Sequence, residues 1–377
     1  MLDFPNSPTL SQQFAGPNGT FSWDGTKWVP AGTATAPPLP SGTLPLMDGT
    51  AAAGTATTYA RGDHVHPYPL IYDIGRNKIH NAMFNVQQRG QGPWTASGTT
   101  FDRWFFAFVN DTSTVSYVAL TDADRSAIGD EEAWSAAQVA FTGSATSGSV
   151  TMFLQNIEGV RRLSGKTLTF SFWARAASGT PKLGIGYAQQ FGTGGSPSPN
   201  VLANFAVTPP LTSTWTRYSY TFTLPSAAGK TMGTSGGDNT GIDICYSATN
   251  WSDTRPGNIG QQSGTVQLWG VQLEVGSAAT PLEKLDPGRD LANCQRFYQV
   301  GYTSFISYQL AGSGFNTSTP FAVTMRASPA VTAPSPALVN LPSLTLTSAL
   351  GSVQINGIAT ATGSTGFNAN WTASADL

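Results

Sequence analysis

Residues 163–176, LSGKTLTFSFWARA, alternate: Leu168, Phe170 and Phe172 fall on one side of an extended chain, and Thr167, Thr169 and Ser171 on the other. A period of two is the strand signal, with one face buried and one wet. The alternation returns in TWTRYSYTFTL (214–224), where Tyr218, Tyr220, Phe222 and Leu224 share a side, and in TVQLWGVQLEVGS (265–277). Short strands joined by Gly/Ser/Pro loops predict an all-β chain built around an antiparallel sandwich of jelly-roll type.

Composition agrees. The chain has 377 residues, enough for two or three domains. Only 11% of them are charged, against roughly 25% in an average soluble protein. The 41 Gly and 25 Pro disfavour long helices. With a formal net charge of −2 and no basic run, binding of nucleic acid through phosphate neutralisation is excluded. No apolar stretch approaches the roughly 20 residues of a membrane span. The start, MLDFPNSPTL, has no basic n-region or apolar h-region, so synthesis in a cytosol without a signal peptide is expected. Cys245 and Cys294 sit among apolar neighbours and read as buried free thiols.

The other segments fall into place around the sandwich. Residues 1–31 form a miniature hairpin module, with Phe14, Phe21, Trp23 and Trp28 as anchors and Asn18-Gly19 and Asp24-Gly25 as turns. Residues 32–47 are a Pro-rich linker of polyproline character. Residues 48–77 form a neck containing YARGDHVHP (59–67), in which an extended chain projects His64 and His66 to the same side. Two imidazoles cannot close a metal site. Three chains around an axis would supply six, an octahedral set that suits iron or nickel better than zinc. The Arg61-Gly62-Asp63 tripeptide inside the neck reads as coincidence. The jelly roll spans 78–299. Near its end Asp286 is an N-cap and Pro287 a first-turn residue, predicting a short helix into a smaller β-domain, 300–377.

No catalytic set is present: there is no phosphate loop and no nucleophile elbow, and the chain reads as a non-enzyme. His80 reads as structural, Asp130, Glu131 and Glu132 as a solvated turn, and Asp102-Arg103 as a local pair. Glu274 is a candidate ligand for a structural calcium. Sugar binding needs aromatic platforms beside polar groups. Trp94, Trp134, Trp251 and Tyr187 lie in loop-like or weakly patterned stretches and are the candidates, whereas Trp173, Trp215 and Trp269 sit in strands and read as structural.

Three sets of motifs resemble bacteriophage tail proteins. FAGPNGTFSWDGTKWV (14–29) resembles a short N-terminal tail-protein module. GTAAAGTATTYARGDHVHP (49–67) looks like a motif of tail fibre and collar proteins. The runs NAMFNVQQRG, FDRW, LSGKTLTFSFWAR, VQLEVG and CQRFY, spread over 78–299, resemble a carbohydrate-binding-module-like jelly roll of tail fibres, and FAVTMRASP (321–329) the small domain after it. The resemblance implies a parallel homotrimer, a structural component of a virion tail, attached through residues 1–31 to other tail or baseplate proteins. Its jelly roll or C-terminal domain would bind a host surface glycan or protein. His64 and His66 would hold a transition-metal ion, iron first, on the trimer axis. Such fibres repeat the His-x-His motif many times, whereas here it occurs once and would make a single clamp. A purely structural collar, baseplate or head-decoration fibre is the alternative.

Overall fold

The computed structural model describes residues 3–32 and 75–377. They fall in two separate compact units, each described by itself. Most of the linker and neck, with His64 and His66, lies outside the described residues.

The first unit is a three-stranded antiparallel sheet of β1 (Gln13–Gly16), β2 (Gly19–Trp23) and β3 (Trp28–Pro30). Asp24 closes the second turn: its Oδ1 accepts from the Thr26 and Lys27 amides at 2.8 and 2.9 Å. These bonds hold its carboxyl below the ordinary value. So small a sheet is marginal in water without apolar cover. Phe4 supplies it, stacking on Trp28 at 5.2 Å and meeting Phe14 and Phe21.

The second unit opens with the sandwich. In chain order its elements are β4 (Gly98–Thr99), β5 (Phe105–Val109), β6 (Thr112–Ala119), α1 (Asp122–Ile128), β7 (Ser135–Thr142) and β8 (Ser149–Glu158). There follow β9 (Thr167–Ser178), β10 (Gly184–Gln190), β11 (Val201–Val207), β12 (Thr216–Thr223), β13 (Asn239–Thr249), β14 (Ser263–Val275) and α2 (Pro287–Gln295). One sheet runs β11-β10-β13-β8-β5-β4 and the other β12-β9-β14-β7-β6. Every named pairing is antiparallel, and the fold is all-β with a jelly-roll-like sandwich, as the alternation predicts.

Leu168, Phe170 and Phe172 of β9 are fully buried in the main core, with Phe222, Tyr220 and Tyr218 of β12 opposite them in register. Each such side chain contributes roughly 1.5–3 kcal/mol of burial. The far face of β9 departs from expectation: Thr169 and Ser171 are buried too. A strap after β14 covers them. Its Thr280 donates its amide and hydroxyl to Glu274 at 2.9 and 2.6 Å, and its carbonyl accepts from Arg217 of β12. The Glu274 carboxylate also meets Arg76 Nε at 3.2 Å. Protein donors and a guanidinium therefore stand where calcium was expected. Alternation in one strand records that a face is polar, not what later covers it.

β14 contains a bulge at Gly270, whose φ is +63°. Before it Val266 and Leu268 enter the main core, and after it Val271 and Leu273 do, so the inward parity flips. A Cβ on Gly270 would come within 3.2 Å of Trp173, and the left-handed φ adds strain.

Past α2 the chain makes a smaller domain from β15 (Tyr298–Gln309), β16 (Gly314–Pro320), β17 (Ala330–Thr332), β18 (Ala337–Val339), β19 (Thr345–Ala349), β20 (Ser352–Ile358) and β21 (Gly363–Ser374). One sheet is β15-β21-β17, with β18 also on β21, and the other is β16-β20-β19. Phe305, Phe315 and Phe367 stack in its core at 4.5–6.1 Å. It is tied to the sandwich by Arg326 N to Arg296 O at 2.9 Å and by the Arg89–Asp376 ion pair at 2.6 Å. Cys245 and Cys294 are buried and free.

Candidate functional site

All ten tryptophans are described, and Trp134 is the one that is exposed, at 62%. It ends the short loop between α1 and β7. That loop is held at both ends. Thr121 and Asp124 form a capping box on α1, and Gly129 ends it in the left-handed conformation. The Asp124 carboxylate accepts from the Trp215 indole at 3.0 Å and meets Arg175 at 2.6 Å. Burial works against the charge on Asp124, but the bonds from Thr121 and Trp215 and the charge of Arg175 hold its carboxyl below the ordinary value. At the other end Leu120 N donates to Trp134 O at 2.9 Å, and the Arg125 guanidinium lies 5.3 Å from the ring centroid. The backbone that carries the indole is thus held at both ends, with Arg125 beside the ring.

Trp134 forms one wall of a cleft of about 640 Å³. Met83 and Val86 give it apolar cover, and Asn85, Gln87 and Gln88 line it with amides. Asn81 sets the course of this segment. It is fully buried, its Nδ2 donates to Val86 O at 3.0 Å and Asp102 O at 3.2 Å, and its Oδ1 accepts from Val86 N at 2.9 Å. Gln88 is pinned by its amide and side chain, both donating to Asp102 at 2.8 Å. Asp102 therefore serves Gln88 rather than Arg103, which donates instead to Asn156 O. Helix α2 forms the opposite wall through Asp286, Pro287, Asp290 and Leu291. Asp286 caps it, accepting from Gly288 N at 2.9 Å, and Asp290 accepts from Asn81 N at 3.0 Å. Burial raises the Asp290 carboxyl above its ordinary value. Lys284 reaches the rim, 2.8 Å from Asp130 and 3.7 Å from Glu132. The acidic turn is therefore tied down by a lysine rather than simply solvated.

The other predicted platforms do not join this cleft. Tyr187 is buried in the core, 5.8 Å from Phe222 in a stacked pair. Trp94 is half-buried, bridges to Val115 and packs on Phe101 at 5.1 Å. Trp251 is half-buried, and its indole donates to Asp253 at 2.9 Å. Among the described residues no group of three or more His, Cys, Asp or Glu side chains could hold a metal ion, and no helix is long and apolar enough to cross a membrane. The cleft residues that sequence reasoning missed are Asn85, Gln87, Gln88, Lys284 and Leu291. Their sequence signals were indirect: the run NAMFNVQQRG holds Asn85, Gln87 and Gln88, and the Asp286-Pro287 helix start fixes where the second wall begins.

No family model and no curated protein matches the chain. Solved structures do align with it. The enzymatically active domain of tailspike protein 4 from bacteriophage CBA120 aligns at 13% identity and TM-score 0.30, covering 53% of this chain and 22% of that one. A family 11 carbohydrate-binding module from Clostridium thermocellum, in complex with a mixed-linked tetrasaccharide, aligns at 13% identity and TM-score 0.30, covering 50% and 97%. A putative sugar binding protein from Bacteroides thetaiotaomicron aligns at 14% identity and TM-score 0.33, covering 53% and 100%. At these scores the likeness brings no residue, ligand or activity to this chain.

Proposed function

We propose that the chain is a receptor-binding subunit of a bacteriophage tail fibre, and that it holds a bacterial surface glycan in the Trp134 cleft. The exposed indole is the observation that carries this reading. A pyranose ring presents a C–H face that packs on an aromatic plane, while its hydroxyls need amide and carboxylate partners at the side. The cleft offers both sets, from Trp134 and from Asn85, Gln87 and Glu132. Such sites are weak singly, and three on one stalk reach useful avidity. In this reading residues 1–31 dock on other tail or baseplate proteins. Trimerisation runs through the neck, where His64 and His66 of three chains would take one iron or similar ion.

A purely structural fibre is the second reading, favoured by a different surface. Along β15 and just past it Val300, Tyr302, Ile306, Tyr308 and Leu310 form one exposed stripe, Ile306 at 75% and Tyr308 at 73%. Further copies of the chain could cover it.

The test is adsorption of the purified full chain to host cells and to a glycan array, beside Trp134→Ala. Loss of both signals in the variant supports attachment through the cleft. Unchanged adsorption sinks the cleft and moves attachment elsewhere on the chain, whereas no adsorption by the parent itself leaves the structural reading. Native mass spectrometry with and without a chelator tests the trimer and its metal together.

A further inference from the structure

A second pocket, of about 340 Å³, lies against another face of α2. Arg289, Asn293 and Arg296 line it at i, i+4 and i+7, one side of a helix. Lys78, Arg103 and Arg162 reach it from distant parts of the chain. Five of the 19 Lys and Arg residues thus meet in one pocket, with Glu158 as the one lining carboxylate.

That carboxylate is already engaged, 2.8 Å from Arg296 and 3.6 Å from Arg326. Lys78 donates to the Gly75 carbonyl, and Arg103 to the Asn156 carbonyl while lying over the Phe297 ring. Arg162 and Arg289 are exposed, and neither is in an ion pair among the described residues. Two buried polar atoms of the lining residues have no hydrogen-bond partner: Nδ1 of His80 and Nε of Arg103. Folded chains seldom leave such atoms unpaired, and each costs stability while it stays so. Burial, with the charges of Arg103, Arg162 and Arg296, pushes the His80 imidazole down to about 3. Burial likewise lowers Lys78, with Arg162 and Lys166 adding to the effect and Glu283 opposing it. The pocket therefore holds positive charge in excess and two buried nitrogens with nothing to meet.

We propose that this pocket is an oxyanion site, taking one phosphate, sulfate or carboxylate group carried on a saccharide, so that the glycan recognised is an acidic one. The saccharide half rests on the cleft reading, whereas the anion half stands without it.

The experiment is calorimetric titration of the full chain, at low salt and pH 7, first with inorganic phosphate and acetate. The same titrations are run on Arg162→Gln/Arg289→Gln. Saturable binding of phosphate that weakens at least tenfold in the double variant is expected. No saturable binding, or equal binding in the variant, overturns the site. Both substituted side chains are exposed, so the variant should keep the parent's circular dichroism. Should it not, Arg289→Glu alone provides the same comparison. Glucose 6-phosphate, glucuronate and glucose then separate the sources. A charged sugar that binds more tightly than its bare anion supports the saccharide and says which acid it carries. Charged sugars that bind no better than phosphate or acetate overturn the saccharide half and leave the anion site standing. Because inorganic phosphate carries no ring, its failure to bind is distinct from a failure of the Trp134 cleft.

Discussion

The two pockets beside α2 share that helix and Leu285, and differ in almost everything else. The larger has an exposed indole, amides and an apolar floor, whereas the smaller has five cations, a half-buried imidazole and Phe297. One nine-residue helix and its two caps supply opposite chemistry to each, Asp286, Asp290 and Leu291 to the first and Arg289, Asn293 and Arg296 to the second. The lesson is that a helix packed on the end of a sandwich separates two sites simply by its period. A change on one face should leave the other cleft's lining intact.

The largest expected effect is on the basic side. His80 stays neutral in the folded chain down to about 3 but takes a proton at its ordinary 6.5 when unfolded. Its folded value is depressed, so the stability it allows is complete above 6.5 and drains away as pH falls towards 3. The loss over that window is on the order of 3–5 kcal/mol. Urea denaturation at several pH values should show it, and His80→Gln should flatten the profile. Parallel profiles for the two proteins would show that the imidazole is not held neutral.

Next in size is Asn81→Ala. It leaves Val86 N and Asp102 O without a buried partner and Val86 O with the Tyr117 hydroxyl alone, and the residue has φ of 51°, which Asn tolerates better than Ala. A loss of about 2–4 kcal/mol in stability is expected from chemical denaturation. Weaker glycan retention should follow, because residues 85–88 lose their anchor.

Trp134→Ala should do the reverse. Stability should change by less than about 0.5 kcal/mol, since the ring is exposed. Retention on a glycan affinity gel should fall roughly 10- to 100-fold. A large drop in Tm with little change in retention would assign the indole to the fold instead. The smallest effect belongs to Lys284→Ala, which removes a half-exposed ion pair at the rim. Less than about 1 kcal/mol is expected, fading further in high salt.

The sandwich was readable because β9 and β12 carry period-two patterns long enough to exclude a helix. The helix start was readable because Asp286 accepts from the Gly288 and Arg289 amides and Pro287 has no amide to satisfy, both in a local, sequence-adjacent way. Tyr187 misled because β10 lies inside its sheet and is buried on both faces, so it shows no alternation and resembles a loop. Trp134 could be nominated but not singled out, since what distinguishes it from Trp94 and Trp251 is which neighbours fail to cover it. The basic pocket was hidden for another reason. Its cations are single residues scattered from 78 to 296, in a chain whose net charge is −2. No run of charge exists until the fold gathers one.

The last sheet has a consequence in time as well as space. Its inner strand is β21, which pairs with β15 on one side and with β17 and β18 on the other. A ribosome finishes β15 at Gln309 and does not begin β21 until Gly363. At about 5–20 residues per second, that interval lasts roughly 3–11 seconds. Throughout it the β15 segment lacks the strand that it pairs with along its whole length in the folded domain. Closing that gap is the last step by which this sheet becomes complete.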